Sequence, residues 1–380
     1  MKTVLLLEKL KQVLQKLEKI SQKSLTHPIL NTILIKAEKN FLNISATDLE
    51  IGIKWWALAK TEQEGETAVP LHLFSSFLNF LPNKPITLHQ KNNYLLLECG
   101  PYKSQIKTLP PEDFPLIPII QNKNFIELKT ADFCQGLSQV AEIASPSSAR
   151  PEISGVFLSF QKEAVKMAAT DSFRLGEKTI FAEEKGFSAK GMEGETSLII
   201  PQKAARELAG VFGEGNENFK FSFSPNQIMV ESQMKETSHI ETIFVSRLIE
   251  GEYPAYQEII PKKHDTQIVA PKGEFINHLK AASLFAGKIN EVTIKVNAKD
   301  SKVEFFSQNQ DLGEHRSSLQ AKAKGAPLEI SFNHRFLAAG LAQIKSAEVI
   351  FELQKNEGPA VLKPLGDPSY LYVVMPIKAS

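Results

Sequence analysis

Short apolar runs alternate with polar turns along the whole chain, and helical and extended patterns return in the same order three times. Between the helical segments lie alternating runs, such as 41–45, 164–168 and 303–306, which predict about eight strands in each third. The polar residues 61–66 predict a turn. Apolar residues at helical spacing predict six helices. These helices are predicted at 8–23, 71–81, 131–144, 202–212, 274–285 and 334–344.

A polar turn follows an apolar run in each of the three passes. It contains Thr47-Asp48 in the first pass and Thr170-Asp171 in the second, and a fainter copy contains Asp311. Because a self-similar unit of this length is a whole domain, we predict an α+β fold of three repeated domains. In each domain two helices pack on antiparallel sheets. The predicted domains are 1–123, 124–263 and 264–380.

Asp48 and Asp171 allow two interpretations. They could form the paired-carboxylate site of a nuclease. Each, however, follows Thr at the end of a strand, where Asp commonly closes a turn by accepting hydrogen bonds from backbone N–H groups. The structural interpretation is favoured, because recurrence in each repeat is typical of a folding feature, whereas a catalytic pair has no need to copy its turn.

The charge balance limits the ways in which this chain could hold nucleic acid. Lys and Arg number 44 and Asp and Glu 43, so the net charge is +1. The contents of 42% apolar and 23% charged residues are typical of a soluble globular protein. Proteins that hold nucleic acid by charge alone are strongly basic. A nucleic-acid role would therefore depend on local patches or on something other than affinity.

Cysteine usage and the N-terminal residues indicate the cytoplasm. The two cysteines, Cys99 and Cys134, form no CxxC and no Cys/His cluster, which argues against disulfides and zinc. The apolar residues 4–7 run directly into charged residues at 8–11, so we predict neither a signal peptide nor a membrane span.

Sequence motifs of catalysis are missing. The chain has no GxxxxGK(S/T), no GxGxxG after a strand, no HExxH and no GxSxG, and its eight histidines are scattered. We therefore predict that the protein is not an enzyme and that it uses no cofactor and no metal.

The first predicted helix carries Lys9, Lys16 and Lys23 in a stripe apart from its apolar face. A solvated surface is the simpler interpretation of this helix taken alone. The alternative is a row of ammonium groups that faces a phosphate backbone.

Four stretches form a set that points to one family. They read Ala169-Thr170-Asp171-Ser172-Phe173-Arg174-Leu175, Leu109-Pro110-Pro111-Glu112-Asp113-Phe114-Pro115, Gly251-Glu252-Tyr253-Pro254-Ala255-Tyr256 with Ile260-Pro261, and Tyr372-Val373-Val374-Met375-Pro376-Ile377-Lys378. In this order they resemble the ATD-G/S-H/Y-R-L, LPxEDFP, G-x-F/Y-P-x-Y…IP and YVVMPMR stretches of the bacterial sliding clamp family, the beta subunits of DNA polymerase III. Phe173 replaces the family's common His, and Lys378 replaces Arg.

The resemblance implies a ring. In that family two subunits, each of three similar domains, close head to tail around duplex DNA, with helices lining the hole. A moderately basic lining attracts phosphate without base contacts, so the ring can slide. By position, the DNA-facing residues would be Lys9, Lys16, Lys23, Arg150, Lys203, Arg206, Lys280 and Arg335, and the dimer interface would contain Ile106, Leu284 and Phe285.

The resemblance also implies a peptide-binding groove between the second and third domains. Partner peptides of the form Gln-Leu-x-Leu-Phe belong to the catalytic subunit of DNA polymerase III, the clamp loader and other clamp-binding proteins. Apolar anchors, one Met and one Arg suit such peptides, although residues 373–375 could also be a simple core strand. The groove wall would be Ile153, Thr170, Phe173, Arg174, Leu175, Pro254, Ile259, Val373, Val374, Met375, Pro376 and Ile377. Glu258 stands where many relatives carry a basic residue.

The expected protein is a cytoplasmic homodimer that encircles double-stranded DNA of any sequence, gives a replicative polymerase processivity and does not contact membranes. One alternative is a peptide-binding hub of the same fold that does not encircle DNA. The other is the nuclease that would use Asp48 or Asp171. Retention on circular DNA distinguishes the clamp from the hub.

Overall fold

The computed structural model describes residues 1–20, 27–121, 124–145, 147, 149–182, 187–190, 194–213, 215, 217–355 and 358–378, with only the backbone for 188–190. Over these residues each third of the chain has the same order of elements: a strand, a helix, five strands, a helix and three strands. The threefold repeat predicted from the sequence is confirmed. Each third contains nine described strands, one more than the apolar pattern indicated.

The first third contains α1 (Leu7–Ile20) and α2 (Leu71–Asn79). α1 buries the apolar face that its spacing predicts, and its predicted last residue, Lys23, lies outside the described residues. α2 begins directly after Pro70, whose missing N–H costs nothing at a helix start. The strands are β1 (Lys2–Leu6), β2 (Thr32–Glu38), β3 (Phe41–Thr47), β4 (Ile51–Leu58), β5 (Lys60–Gln63), β6 (Gly65–Pro70), β7 (Pro85–Lys91), β8 (Tyr94–Cys99) and β9 (Tyr102–Lys107).

The prediction of a turn at 61–66 is wrong. β5 pairs with β1 and β6 pairs with β2, and only Glu64 separates the two strands. β5 lies at the edge of its sheet, and most of its side chains are exposed. Polar residues are normal on such an edge strand, so its pattern looks like that of a turn.

The second third contains α3 (Thr130–Ala141) and α4 (Gln202–Phe212). The bounds of α4 agree with the prediction, because an apolar strand ending in Pro201 marks its start. The strands are β10 (Phe125–Lys129), β11 (Gly155–Phe160), β12 (Ala164–Thr170), β13 (Arg174–Phe181), β14 (Ser188–Lys190), β15 (Thr196–Pro201), β16 (Asn218–Ser224), β17 (Gln227–Gln233) and β18 (Ile240–Arg247).

The last third contains α5 (Lys272–Ser283) and α6 (His334–Gln343). Asn333 caps α6, because its side chain accepts a hydrogen bond from the N–H of Arg335. The strands are β19 (Thr266–Pro271), β20 (Glu291–Asn297), β21 (Lys302–Asn309), β22 (Gly313–Gln320), β23 (Lys322–Gly325), β24 (Leu328–Asn333), β25 (Glu348–Leu353), β26 (Ala360–Pro364) and β27 (Tyr370–Val374).

The chain divides into two compact units, which do not coincide with the thirds. One contains 1–135, 187–194 and 203–248, and the other contains 136–186, 195–202 and 249–380. The first unit has a five-stranded sheet, β5-β1-β7-β8-β9, and a nine-stranded sheet, β14-β10-β16-β17-β18-β4-β3-β2-β6. The second has a nine-stranded sheet, β15-β11-β12-β13-β27-β26-β25-β19-β23, and a four-stranded sheet, β22-β21-β20-β24. Each nine-stranded sheet therefore joins strands from two successive thirds.

The two places where successive thirds join are alike, and we call them the first and second junctions. At the first junction β4 pairs with β18, and at the second β13 pairs with β27. In both, the fourth strand of one third meets the ninth strand of the next. The pairing can be compared by counting from the Asp of each turn. Gly52 lies four residues after Asp48 and pairs with Val245 of β18. Leu175 lies four residues after Asp171 and pairs with Val373 of β27.

At each junction a helix of one third also contacts a helix of the next third. At the first, the ammonium group of Lys16 on α1 donates to the carbonyl of Val211 on α4, with an Nζ–O distance of 2.8 Å. At the second, the side-chain amide of Gln139 on α3 donates to the carbonyl of Gln343, at the end of α6, over 2.8 Å. The first helix of one third therefore contacts the second helix of the next.

One fourth strand and one ninth strand remain without a partner on one side. Over the described residues, β9 pairs only with β8, and β22 pairs only with β21. β9 is the ninth strand of the first third, and β22 is the fourth strand of the last third. Their free edges are thus of the two types that meet at each junction.

The packing of α6 on β27 depends on a glycine. A Cβ atom on Gly340 would lie 2.4–2.8 Å from ring atoms of Tyr372, a buried residue whose hydroxyl donates to the carbonyl of Phe336. We expect Gly340→Ala to lower the free energy of unfolding by about 1–3 kcal/mol, because overpacking forces the ring or the helix to move. Gly210→Ala on α4 is the matched control, since its Cβ would meet nothing within 4 Å. Thermal unfolding of both variants checks this, and equal midpoints would contradict it.

Candidate functional site

The turn between β12 and β13 is held by its own side chains. The Asp171 carboxylate accepts hydrogen bonds from the backbone N–H groups of Phe173 and Arg174, over 3.0 and 2.9 Å. The Thr170 hydroxyl donates to the carbonyl of Arg174 and accepts from the N–H of Ser172. Ser172 has a φ of 76°, a left-handed conformation that is uncommon outside glycine and that these bonds stabilise.

Arg174 is fully engaged within this turn and its surroundings. Its Nε donates to the second carboxylate oxygen of Asp171 over 2.8 Å, and its Nη2 donates to the carbonyl of Glu142 over 3.3 Å. The guanidinium also lies 5.0 Å from the ring centroid of Phe336 on α6, and the Phe173 ring stacks on the same ring. The Arg174 charge therefore organises the protein rather than standing free for a ligand.

The same turn recurs between β3 and β4. The Asp48 carboxylate accepts from the N–H groups of Glu50 and Ile51, and the Thr47 hydroxyl donates to the carbonyl of Ile51. The second oxygen of Asp48 has a different partner, the ammonium group of Lys203 on α4. The prediction that Asp48 and Asp171 close turns is confirmed.

The third turn, between β21 and β22, differs from these two. The strands pair Asn309 with Gly313, so the turn is one residue shorter, and the side chain of Asn309 accepts from the N–H of Asp311. The turn that contains Asp311 is therefore an inexact copy of the other two, although a polar turn does follow the apolar run as predicted.

A cavity of about 540 Å³ opens beside the Asp171 turn, within the second compact unit. Buried side chains of Leu175 and Val373, which face each other across β13 and β27, form its apolar base. Phe173, Ile259 and Met375 contribute exposed apolar surface. The lining residues are Thr170, Ser172, Phe173, Arg174, Leu175, Glu258, Ile259, Ile260, Pro261, Lys262, Gln354, Pro359, Val373 and Met375.

Seven of the twelve residues expected in the groove line this cavity. They are Thr170, Phe173, Arg174, Leu175, Ile259, Val373 and Met375. The other five, Ile153, Pro254, Val374, Pro376 and Ile377, do not line it. Ile153 and Val374 are buried in the protein, and the N–H of Ile377 is bonded to the carbonyl of Ser331.

Sequence reasoning missed part of the cavity. Gln354 and Pro359 come from the loop between β25 and β26, which is distant in sequence from the Asp171 turn. Neither residue belongs to a motif, so no local signal points to them. Ile260, Pro261 and Lys262 could have been found, because they directly follow Ile259 in a segment already assigned to the groove.

At the first junction the chain itself covers Gly52 and Val245, the pair that corresponds to Leu175 and Val373. Ile117 packs so closely over Gly52 that a Cβ atom there would lie 2.6 Å from its side chain. Phe114, Ile117 and Ile120 form a buried cluster with Val245 of β18. Gly52 corresponds to Leu175 of the second junction, and because it has no side chain it leaves room for Ile117.

The residues expected to face DNA are in different environments. Lys9 forms an ion pair with Glu236, Lys16 donates to the carbonyl of Val211, and Lys203 pairs with Asp48. Arg150 binds Glu152 and the hydroxyl of Ser172 beside the cavity. Arg206, Lys280 and Arg335 are exposed on α4, α5 and α6, and Lys23 lies outside the described residues.

The exposed faces of the helices are close to electrically neutral. Their exposed residues include five cations and four carboxylates, besides amide, hydroxyl and small residues. The exposed residues on and just after the helices are Glu8, Gln12, Gln15, Lys19, His72, Leu73, Ser76, Asn79, Phe80, Ala131, Asp132, Ser138, Glu142, Arg206, Gly210, Gly213, Gly273, Glu274, Asn277, Lys280, Leu284, Arg335, Ala342 and Lys345.

One carboxylate on α4 is buried among charges. Burial raises the pKa of the Glu207 carboxyl, and the nearby Lys19, Lys203 and Arg206 only partly oppose this. A carboxyl whose pKa is higher in the folded state binds protons more tightly when folded. Its ionised form therefore destabilises the fold at neutral pH, and the penalty disappears as the pH falls towards the unfolded value near 4.5.

We expect Glu207→Gln to raise the melting temperature at pH 7 by about 1–3 °C, because it removes this charge. The difference from the unsubstituted protein should shrink as the pH approaches 4. Glu64→Gln, at an exposed position, is the control and should change little. Thermal scans across this pH range check the prediction, and a lower melting temperature for Glu207→Gln at pH 7 would contradict it.

The three residues expected at a subunit interface lie on β9 or just after α5. Ile106 is on β9, but its side chain is only 4% exposed and packs within its own sheet. Leu284 directly follows α5 and is 72% exposed. Phe285 stacks on His315, which belongs to β22. Ile106 can therefore contribute through its strand but offers little side-chain surface.

Other features bear on catalysis and membranes. Among the described residues, no group of three or more His, Cys, Asp or Glu side chains is arranged to hold a metal ion.

Burial raises the pKa of the Cys134 thiol to about 12, so this thiol is protonated at neutral pH. No described helix combines the length and apolar character that a membrane crossing requires.

Comparisons with known proteins agree along the whole chain. Residues 1–118, 127–255 and 257–378 match the models of the N-terminal, central and C-terminal domains of the DNA polymerase III beta subunit. A beta sliding clamp of Staphylococcus aureus is 27% identical over 364 residues, which cover 93% of each chain. One of Synechococcus elongatus is 25% identical over 356 residues, covering 93% of this chain and 92% of the relative.

Solved structures show the same fold. The DNA polymerase III beta subunit of Thermotoga maritima superposes with a TM-score of 0.90 at 23% identity, and both chains are fully covered. A sliding clamp of Pseudomonas aeruginosa, bound to griselimycin, superposes with a TM-score of 0.91 at 21% identity, again with full coverage of both chains.

Proposed function

Since this chain belongs to the family of DNA polymerase III beta subunits, we propose that it is a sliding clamp. Two copies close into a ring around double-stranded DNA and tether the replicative polymerase, which gives the polymerase processivity. The three domains are 1–123, 124–263 and 264–380. The protein acts without catalysis and without a cofactor, in the cytoplasm, where its two free and buried cysteines would stay reduced.

The observation that carries the ring is the pair of free strand edges. At both junctions the fourth strand of one third pairs with the ninth strand of the next. β22 and β9 are the remaining fourth and ninth strands, and each has a free edge. They belong to the first and the last third of one chain. In a pair of copies, β22 of each copy can therefore pair with β9 of the other. Such a head-to-tail pair of copies closes when the last contact forms.

The helices support the same pairing. At both junctions the first helix of one third contacts the second helix of the next. If the copies meet in the same way, α5 of one copy contacts α2 of the other. Both helices carry exposed apolar residues at the expected place: Leu284 after α5, and Leu73 and Phe80 on and just after α2, the last being 83% exposed. Apolar surface of this kind is typical of a protein–protein contact.

The weak charge of the helices suits sliding. DNA affinity that depends on phosphate contacts grows with the number of cations that meet the backbone. Helix faces with nearly balanced charge would hold the duplex weakly, so retention has to come from the closed ring. Among the expected DNA-facing residues that the structure describes, the exposed cations are Arg150, Arg206, Lys280 and Arg335. Lys9, Lys16 and Lys203 also stabilise the first junction.

The cavity beside the Asp171 turn is the proposed peptide-binding groove. Its apolar base and its exposed Phe173, Ile259 and Met375 suit peptides with Leu and Phe anchors. The proposed partners are the catalytic subunit of DNA polymerase III, the clamp loader and other proteins with a clamp-binding motif. Griselimycin on the Pseudomonas aeruginosa clamp is an example of a ligand on a related protein.

Retention on circular DNA tests the ring. Labelled protein is loaded on a nicked plasmid with clamp loader and ATP, and the complex is isolated by gel filtration. A clamp remains bound until a restriction enzyme linearises the plasmid and then runs off. Dissociation at the same rate from circular and linear DNA would favour the peptide-binding hub. Sedimentation gives the mass, which for the ring is twice 42.3 kDa.

A further inference from the structure

The wall of the groove carries opposite charges at two separate points. Glu258 and Lys262 both line the cavity and both are exposed, and Ile259, Ile260 and Pro261 lie between them. Neither side chain has a hydrogen bond or ion pair over the described residues. Their charges are therefore available to a ligand.

The other charged residue of the cavity is already neutralised. Arg174 is bound by Asp171, by the carbonyl of Glu142 and by the Phe336 ring. Both oxygens of Asp171 are also in use, one by backbone N–H groups and the other by Arg174. A charged group on a bound peptide would therefore meet Glu258 or Lys262 rather than this pair.

Glu258 and Lys262 are four positions apart along the wall of the cavity. The short 3-10 helix Tyr256–Ile259 ends between them, and Ile260 continues in an extended conformation with φ −77° and ψ 118°. Four residues of extended chain span at most about 14 Å. A bound peptide that lies along Ile259 can therefore present one flank to Glu258 and the other to Lys262.

We propose that Glu258 and Lys262 select the direction and the flanking charges of the bound peptide. The preferred ligand has a cation on the flank beside Glu258 and an anion on the flank beside Lys262. This inference rests on the proposed peptide-binding function and adds a specificity to it. Charges at an exposed rim contribute to orientation and selectivity more than to total affinity.

Two peptides of equal composition test the inference. One is Lys-Gln-Leu-Ser-Leu-Phe-Glu and the other is Glu-Gln-Leu-Ser-Leu-Phe-Lys, both acetylated and amidated so that no terminal charge remains. We expect the dissociation constants, measured by fluorescence anisotropy in low salt, to differ by about three- to fivefold. This is the effect of two exposed charge pairs. The ratio should approach one at high salt, because screening removes it.

Charge reversal provides the decisive comparison. In Glu258→Lys/Lys262→Glu the preference should invert, and in Glu258→Gln/Lys262→Gln it should disappear. Met375→Ala should weaken both peptides equally and leave their ratio unchanged. Tight binding of both peptides to the unsubstituted protein with equal affinity would overturn the inference but leave the groove intact. Failure of both peptides to bind the folded protein would overturn the groove and the inference together.

Discussion

Replacement of Leu284 by Asp is expected to convert the dimer into a monomer and to abolish retention on circular DNA. Leu284 lies just after α5 and is 72% exposed in the single chain, and the next residue, Phe285, stacks on His315 of β22. A carboxylate in a closed apolar contact has to be desolvated without a partner. We expect the dimer to weaken at least about a hundredfold, which corresponds to about 3 kcal/mol or more. Sedimentation and the plasmid assay measure the two effects.

Leu116→Asp is the matched control for this experiment. Leu116 is 97% exposed and belongs to no strand, and the next residue, Ile117, packs over Gly52 at the first junction. The same substitution there should leave both the dimer and DNA retention unchanged. A dimer that survives Leu284→Asp, with DNA retention intact, would show that the copies do not meet through α5 and β22.

Met375→Ala is expected to weaken binding of a Gln-Leu-x-Leu-Phe peptide by about tenfold, or about 1.4 kcal/mol. Met375 lies just after β27, lines the cavity and is 37% exposed. Its N–H donates to the carbonyl of Phe173, so the backbone should keep its place when the side chain is shortened. The flexible thioether adapts to apolar anchors, and alanine leaves part of the pocket empty.

Leu365→Ala is a suitable control for the groove, because Leu365 is exposed near β27 but outside the cavity. It should not change peptide binding. Fluorescence anisotropy with a labelled peptide gives both dissociation constants. If Met375→Ala bound the peptide as tightly as the unsubstituted protein, the cavity beside the Asp171 turn would not be the groove. Both variants should still form dimers and remain on circular DNA, since neither position is at a free strand edge.

The helices and the repeat could be predicted from sequence because their signals are local. α4 was bounded correctly by the apolar period of 202–212 and by Pro201. The hydrogen bonds of Asp48 and Asp171 also lie within a few residues of chain, so residue type and position suffice. β5 could not be predicted, because an exposed edge strand needs no apolar alternation.

The partners of charged residues depend on contacts that sequence spacing does not contain. Lys9 and Lys16 form a clean stripe on α1, yet their partners, Glu236 and Val211, come from the second third of the chain. In the same way, Gln354 and Pro359 enter the cavity because β26 pairs with β27 and β27 pairs with β13. The resemblance to a known family supplied Thr170, Leu175 and Val373, which composition and periodicity alone would have assigned to the core.

The pairing of a fourth strand with a ninth strand has a consequence for assembly. Because the two surfaces differ, each copy that uses β22 to bind a neighbour still offers its own β9 to another, and no single contact limits the number of copies. Whether such a chain of copies ends as a closed ring or grows as a helical filament depends only on the rotation that each contact imposes. Inside each copy, the ion pair of Asp48 with Lys203 holds the first junction and the hydrogen bond of Gln139 to Gln343 holds the second, so both affect how successive thirds are joined. Substitutions at either place should therefore be inspected by electron microscopy for filaments as well as for loss of stability.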